Sequence, residues 1–289
     1  MTEPARDCWA DWLAERRHGG DPDVRRKLDD ELAKRRDKVL DGGGLRRGET
    51  LLDVGCGEGL IAFGALARGA GEVVFSDVSQ DLLDLCRSTA AQLGVAPRCR
   101  FVLAPADALP VDDASVDVVT TRSVLIYVAD KAAAFREFHR ALRPGGRVSL
   151  FEPINRFAAR DGKTWAGYSF EEIPAIYAKL RAVYSAIQPV DSDPMLDFDE
   201  RDLIRMAEEA GFHPIELELV AEVRSVEPRS WDGFVRMSGN PRIPTLGEAM
   251  EQALAPAERY ALERHLRPLV EEGRGTWRMA SAYLRATKP

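Results

Sequence analysis

A chain of 289 residues with 45% hydrophobic and 30% charged residues can fill a core of one large domain, or of one domain with a cap, and wholesale disorder is excluded. Its 40 basic and 47 acidic residues leave a formal charge of −7, which argues against a surface that neutralises the phosphates of DNA or RNA. The four cysteines show no C-x-x-C spacing and the four histidines no H-E-x-x-H spacing, so neither a disulfide framework nor a bound metal is expected.

The first residues offer acids, Trp and Arg where a signal peptide needs an apolar run, and no apolar stretch reaches the roughly 18 residues of a membrane span. The expectation is a soluble, cytoplasmic protein without a membrane partner. Residues 1–48 read as an amphipathic helical lid, "CWADWLAERR" followed by "DPDVRRKLDDELAKRRDKVL", the second helix capped by Asp21 with Pro22 in its first turn. The helices carrying Trp9, Trp12, Arg16 and Arg17 are expected to fold over a ligand as such a lid. "DGGGLRRGE" then breaks the helix.

From 49 to 154 short apolar runs alternate with helical ones. "TLLDV", "EVVFSD", "CRFVLA", "VDVVTT" and "RVSLFEP" read as strands. "GLIAFGALARG", "SQDLLDLCRSTAAQLG", capped by Ser79, and "DKAAAFREFHRALRPGG" read as helices. This alternation predicts a parallel sheet covered by helices on both faces. Residues 155–200 form a cap insertion around the helix "SFEEIPAIYAKLRAVYSAI". Residues 201–289 return to the core with the helix "DERDLIRMAEEAGF", the strand "PIELELVAEVRSV", a second helical insertion at about 228–274 and the closing strand "WRMASAYLRATKP". Insertions at the carboxyl ends of strands build substrate pockets in α/β folds. Trp165, Tyr168, Tyr177 and Trp231 are the aromatic candidates for lining one, although most cap aromatics simply pack.

The stretch "LLDVGCGEGL" carries the chemistry. A strand, a glycine turn and a helix bring a ligand to backbone N–H groups. The dinucleotide pattern G-x-G-x-x-G fails, because its last position, counted from Gly55, is Leu60. What stands is D-x-G-x-G-x-G, with Asp53, Gly55, Gly57 and Gly59, and an acid before the turn suits an ammonium better than a pyrophosphate. Asp77 ends the next strand, at the distance of a ribose-binding acid. Asp107, in "PADALP", can accept from an adenine amino group.

"LLDVGCGEG", "VVFSDVS", "PADALPVDDASVDVV" and "ALRPGGRVSLFEP" together resemble the class I S-adenosylmethionine-dependent methyltransferases, in the small-molecule branch with the ubiquinone/menaquinone-biosynthesis and arsenite enzymes. The resemblance implies a Rossmann-like α/β fold, mostly parallel, of seven strands with an antiparallel last strand. It implies that Asp53, Gly55, Cys56, Gly57 and Gly59 hold the methionine portion, Asp77 and Val78 the ribose, and Ala106, Asp107 and Ala108 the adenine. Thr121 and Arg122 would lie beside the sulfonium. The expected reaction moves a methyl group from S-adenosylmethionine to O, N or C of a small organic acceptor, leaving S-adenosylhomocysteine. A peptide side chain as acceptor, or a non-catalytic role in binding the cofactor, are the alternatives, and a homodimer stays open.

Methyl transfer needs alignment above all, so the catalytic candidates are Arg122, to hold an acidic group, Glu152, to hold or deprotonate the acceptor, and Tyr127. The histidine pair of many relatives is missing from "TRSVLIYVAD". His139 and His213 are expected away from the site. Thiolates bind trivalent arsenic, and no cysteine follows Cys99, so arsenic chemistry is not expected.

Overall fold

The computed structural model describes residues 6–158, 164–189 and 192–289. Helix α1 (Cys8–Asp11) runs on into a π-helical turn (Trp12–Arg16), and α2 (Pro22–Gly43) follows. The side chain of Asp21 accepts from the N–H groups of Asp23 and Val24, satisfying donors that the first turn leaves open.

Strands and helices then alternate: β1 (Thr50–Val54), α3 (Leu60–Ala67), β2 (Glu72–Asp77), α4 (Gln80–Gln92), β3 (Cys99–Leu103), β4 (Val116–Arg122), α5 (Lys131–Ala141) and β5 (Leu142–Pro153). A short hairpin, β6 (Thr164–Trp165) and β7 (Tyr168–Ser169), precedes α6 (Pro174–Ile187) and α7 (Glu200–Glu209). The chain closes with β8 (Ile215–Ser225), α8 (Trp231–Val235), α9 (Leu246–Ala253), α10 (Pro256–Glu271) and β9 (Thr276–Thr287).

The sheet has seven strands in the order β3-β2-β1-β4-β5-β9-β8. Neighbours among β1 to β5 pair in parallel, and β9, last in the chain, is antiparallel to both β5 and β8. The seven-stranded Rossmann-like layout with an antiparallel last strand is thus the one the sequence predicts. One boundary differs. The sequence pattern carries the helix through "ALRPGG", yet α5 stops at Ala141 and Leu142 already pairs with Val116. Pro144 has no N–H to give a helix and pushes Arg143 toward extended backbone.

Alternating strand residues feed two cores. Leu52, Val54, Val119 and Leu150 pack with Phe135, Phe138, Leu203 and Met206 of α5 and α7 on one face. Leu51, Val73, Phe75 and Val118 pack with Val39, Leu40, Ile61 and Leu83 of α2, α3 and α4 on the other. A third cluster belongs to the inserted elements, where Tyr168, Phe170, Leu180, Trp231, Phe234 and Leu262 pack together. Strand order reverses between β1 and β4, so the loops leaving their carboxyl ends part and open a crevice there.

At the opposite end Arg147 ties α2 to the sheet. Its guanidinium forks onto both oxygens of Glu49 at 3.0 and 2.6 Å and donates to the carbonyls of Gly43 and Gly44. Arg147→Ala strands a half-buried carboxylate and two carbonyls, and a loss of about 2–3 kcal/mol is expected. Urea unfolding measures it; a change under about 0.5 kcal/mol, the size of an ordinary surface substitution, would show that the fork does not anchor α2.

Candidate active site

The crevice between β1 and β4 is held open by a buried acid. Asp53 is 2% exposed; one oxygen accepts from the Thr120 hydroxyl on β4 at 2.9 Å and the other from Ala62 N–H, in the first turn of α3, at 3.1 Å. The positive end of α3 favours a carboxylate there, but burial prevails and lifts Asp53 to about 7, against the pull of those two bonds and of Arg122.

Between Asp53 and α3 the chain turns through the glycines. Gly55 has φ +65°, and a Cβ there would lie 2.2 Å from Val124, so only glycine allows the segment after β4 to close on the turn. Gly57 has φ +54°, and the one neighbour a Cβ would meet is Leu13 of the π-helical turn, at 3.5 Å. Cys56 is buried; its N–H reaches Ser76 O, and its thiol, next to that of Cys86, is raised well above the usual range, so it is no nucleophile at neutral pH.

Asp77, 6% exposed at the end of β2, accepts from Gly57 N–H at 2.8 Å and from Ser79 N–H at 2.9 Å, and burial raises it above the ordinary carboxylate range. Its two oxygens still have lone pairs free for hydroxyl donors. Val78 beside it is half exposed. Ala106 is buried, Asp107 half-buried and Ala108 exposed, and Asp107 makes no hydrogen bond within the described residues. Thr121 is buried at the end of β4 with its hydroxyl unpartnered. The glycine turn and the end of β4 both border the crevice, through Cys56, Glu58 and Arg122, and Asp77 is bonded to that turn.

The segment after β4 is held by a second buried acid. Glu152, fully buried on β5, accepts from the N–H groups of Val124, Leu125 and Ile126 at 2.9, 3.1 and 3.3 Å. Burial raises it to about 7 although those three bonds and Arg122 favour its charge. Its oxygens are occupied by backbone, which makes it a support for this segment. Ser123, just before, takes φ +57°, a costly conformation for a residue with a Cβ. Burial, then the charge of Glu152, pushes the Tyr127 hydroxyl up to about 12, and the ring meets Trp9 edge-on at 4.8 Å.

The N-terminal helix pair lies across this border. Asp7 accepts from Ser79 Oγ at 2.6 Å, Trp12 donates to Ser238 O at 2.9 Å and Arg16 to Glu248 at 2.6 Å. Beneath it is a cavity of about 180 Å³ whose walls include Leu13, Arg17, Cys56, Glu58 and Arg122. Sequence reasoning did not connect Arg17 to Arg122, nor Asp53 to Thr120, since nothing in either segment signals its partner.

The aromatic candidates sit elsewhere. Tyr168 and Trp231 are buried in the cap cluster, Trp165 stacks on Tyr184 at 5.7 Å, and Tyr177 stacks on Phe170 and donates to Thr164 O. His139 packs against Phe212, and His213 N–H bonds Thr287 O. Among the described residues no group of three His, Cys, Asp or Glu is placed to hold a metal, and no helix is long and apolar enough to cross a membrane.

Comparison with known proteins decides the family. Residues 52–150 match the model of a methyltransferase domain. The chain is 30% identical over 180 residues, spanning 62% of itself and 72% of the relative, to the ubiquinone/menaquinone biosynthesis C-methyltransferase UbiE of Escherichia coli. This chain is a class I S-adenosylmethionine-dependent methyltransferase. Solved structures share the methyltransferase fold at lower identity. The YcgJ protein of Bacillus subtilis superposes with TM-score 0.54 at 16% identity, over 88% of this chain and 97% of that one. Phosphoethanolamine N-methyltransferase 2 of Haemonchus contortus gives 0.51 at 19% identity, over 89% of this chain and 52% of that one.

The raised acids set the methyltransferase's response to pH. Asp53 and Glu152 keep their protons in the folded state to about pH 7, whereas unfolded Asp and Glu lose them near pH 4. The folded state therefore holds more protons in this window, and stability falls as pH rises through it. Asp53→Asn removes one of the two groups, so its stability relative to the parent should improve from pH 5 to pH 8. Urea unfolding at both pH values checks this, and equal slopes for the two proteins would eliminate Asp53 as a source.

Proposed function

We propose that the protein transfers the methyl group of S-adenosylmethionine to O, N or C of a small organic acceptor, with S-adenosylhomocysteine as the second product and no metal. The observation that carries this reading is the cavity at the end of β4, which the glycine turn borders through Cys56 and Glu58 and β4 through Arg122, with Asp77 fixed to that turn by Gly57 N–H. The residues fit the cofactor: Asp77 has lone pairs left for two ribose hydroxyls, and among the described residues the Asp107 side chain has no hydrogen-bond partner and the Thr121 hydroxyl is orphaned. In this reading Asp77 and Val78 hold the ribose, Ala106, Asp107 and Ala108 the adenine, and Gly55, Cys56, Gly57 and Gly59 the methionine portion. Asp53 acts through the turn it fixes.

When bound, the cofactor supplies an electrophilic methyl group on a sulfonium. The chain's own residues have three tasks. They align the acceptor, they keep water out, and they hold the segment after β4 still. Alignment alone accounts for much of such a rate. Glu152, its oxygens occupied by backbone, positions residues 124–126. Tyr127, protonated at neutral pH, is available as a donor. The helix pair closes over the cavity through Trp12 and Arg16, which suits a small acceptor better than a peptide. The named activity of the Escherichia coli relative, on a small molecule, supports the same class.

Calorimetry with S-adenosylmethionine, S-adenosylhomocysteine and NAD tests the reading. The two adenosyl ligands should bind and NAD should not, and Asp77→Ala should weaken S-adenosylhomocysteine at least ~10-fold, the scale of one charge-assisted hydrogen bond lost. Asp77→Asn, which keeps the shape, separates that loss from damage to the turn. NAD binding without the adenosyl ligands, or unchanged affinity in both variants, overturns it.

A further inference from the structure

The charges around the cavity are unequally committed. Arg17 and Arg122 both face it, and neither side chain meets a hydrogen-bond or ion-pair partner among the described residues; Arg17 stands over the ring of Trp12, at 5.3 Å. Arg122 acts electrostatically on Arg17, and Arg35 of α2 acts on both. Arg242 stands over the rings of Trp9 and Tyr127, at 5.7 Å from each.

The carboxylates nearby act on these charges from a distance, Asp53 and Glu152 on Arg122 and Glu58 on Arg17, and none pairs with them among the described residues. Asp53 is bound to Thr120 and Ala62, Glu152 to three N–H groups, and Arg35 already has Glu31 at 3.7 Å. Asp29 and Glu58, on the cavity wall, are exposed to solvent. Burial and the neighbouring guanidinium of Arg122 lower Arg17 to about 10, and burial lowers Arg122 as well. Half-buried like charges without partners are unfavourable, and a sulfonium brought beside them adds a further positive charge. An anion relieves all three. A guanidinium fork fits a carboxylate or phosphate bidentately. The cavity of about 180 Å³ is below the ~300–1,000 Å³ of whole ligand pockets, so it takes one end of a ligand.

Building on the methyltransferase reading above, we infer that the acceptor is acidic and binds as its anion, with an anionic oxygen group gripped between Arg17 of the N-terminal helix pair and Arg122 of β4. Arg17 then links acceptor binding to closure of the helix pair, because it reaches the cavity only while the π-helical turn lies over the glycine turn.

The test is titration of benzoate, phenyl phosphate and neutral benzyl alcohol into the protein saturated with S-adenosylhomocysteine, for the parent, Arg17→Gln, Arg17→Lys and Arg122→Gln. The expected result is anion binding at least ~10-fold weaker in the Gln variants, the loss of one charged hydrogen bond. Arg17→Lys should fall between, and affinity of Arg17→Gln for S-adenosylhomocysteine should stay within about threefold of the parent. Thermal unfolding verifies folding, and should a Gln variant fail to fold, Arg17→Lys and Arg122→Lys carry the comparison. Three results overturn the inference. Either neither anion binds, or both bind parent and variants alike; or the Gln variants weaken S-adenosylhomocysteine but not 5′-methylthioadenosine, which makes the pair the seat of the cofactor's own carboxylate. A parent protein that binds neither adenosyl ligand fails the methyltransferase reading instead.

Discussion

One buried carboxylate sets the geometry on which the site depends. Asp53 joins the end of β1 to Thr120 of β4 and to the first turn of α3, so three elements meet at a single side chain. Burying an acid is costly unless its oxygens are satisfied, and only this spacing of strands and helix satisfies them. With both ends of the glycine turn thereby fixed, the N–H of Gly57 is delivered to Asp77 on β2 and Gly55 is pressed against Val124.

Glu152 repeats the device one strand further on. It reaches from β5 under the segment after β4 and collects three N–H groups that would otherwise be buried without partners. Two acids hold two loops, and the cavity opens between the glycine turn of one and Arg122, just before the other. Because their oxygens face backbone and hydroxyl, Asp53 and Glu152 act on Arg122 from a distance without pairing with it.

The ligand-side pattern was legible where it is local in the chain. A glycine turn after a strand is a backbone requirement, and the acids at the ends of β2 and beyond β3 follow at fixed spacing, so the register of Asp53, Asp77 and Asp107 can be read before any contact is known. The aromatic candidates illustrate the opposite case. "DGKTWAGYS" reads as a loop, whereas Trp165 and Tyr168 stand on a small hairpin whose rings turn into the cap's own core beside Phe234. An aromatic side chain looks the same in sequence whether it packs on a neighbour or on a ligand.

By itself the sequence determined the alternation of strands and helices and the glycine-and-acid register, because periodicity, capping and turn chemistry are properties of short segments, while the antiparallel last strand was implied by the family resemblance. Tertiary structure alone decided that Arg17 would share a cavity with Arg122, that Thr120 would receive Asp53 and that Glu152 would serve three backbone donors. Those pairings join positions far apart in the chain, and they follow from how helices settle on the sheet, where many polar faces compete and packing selects among them.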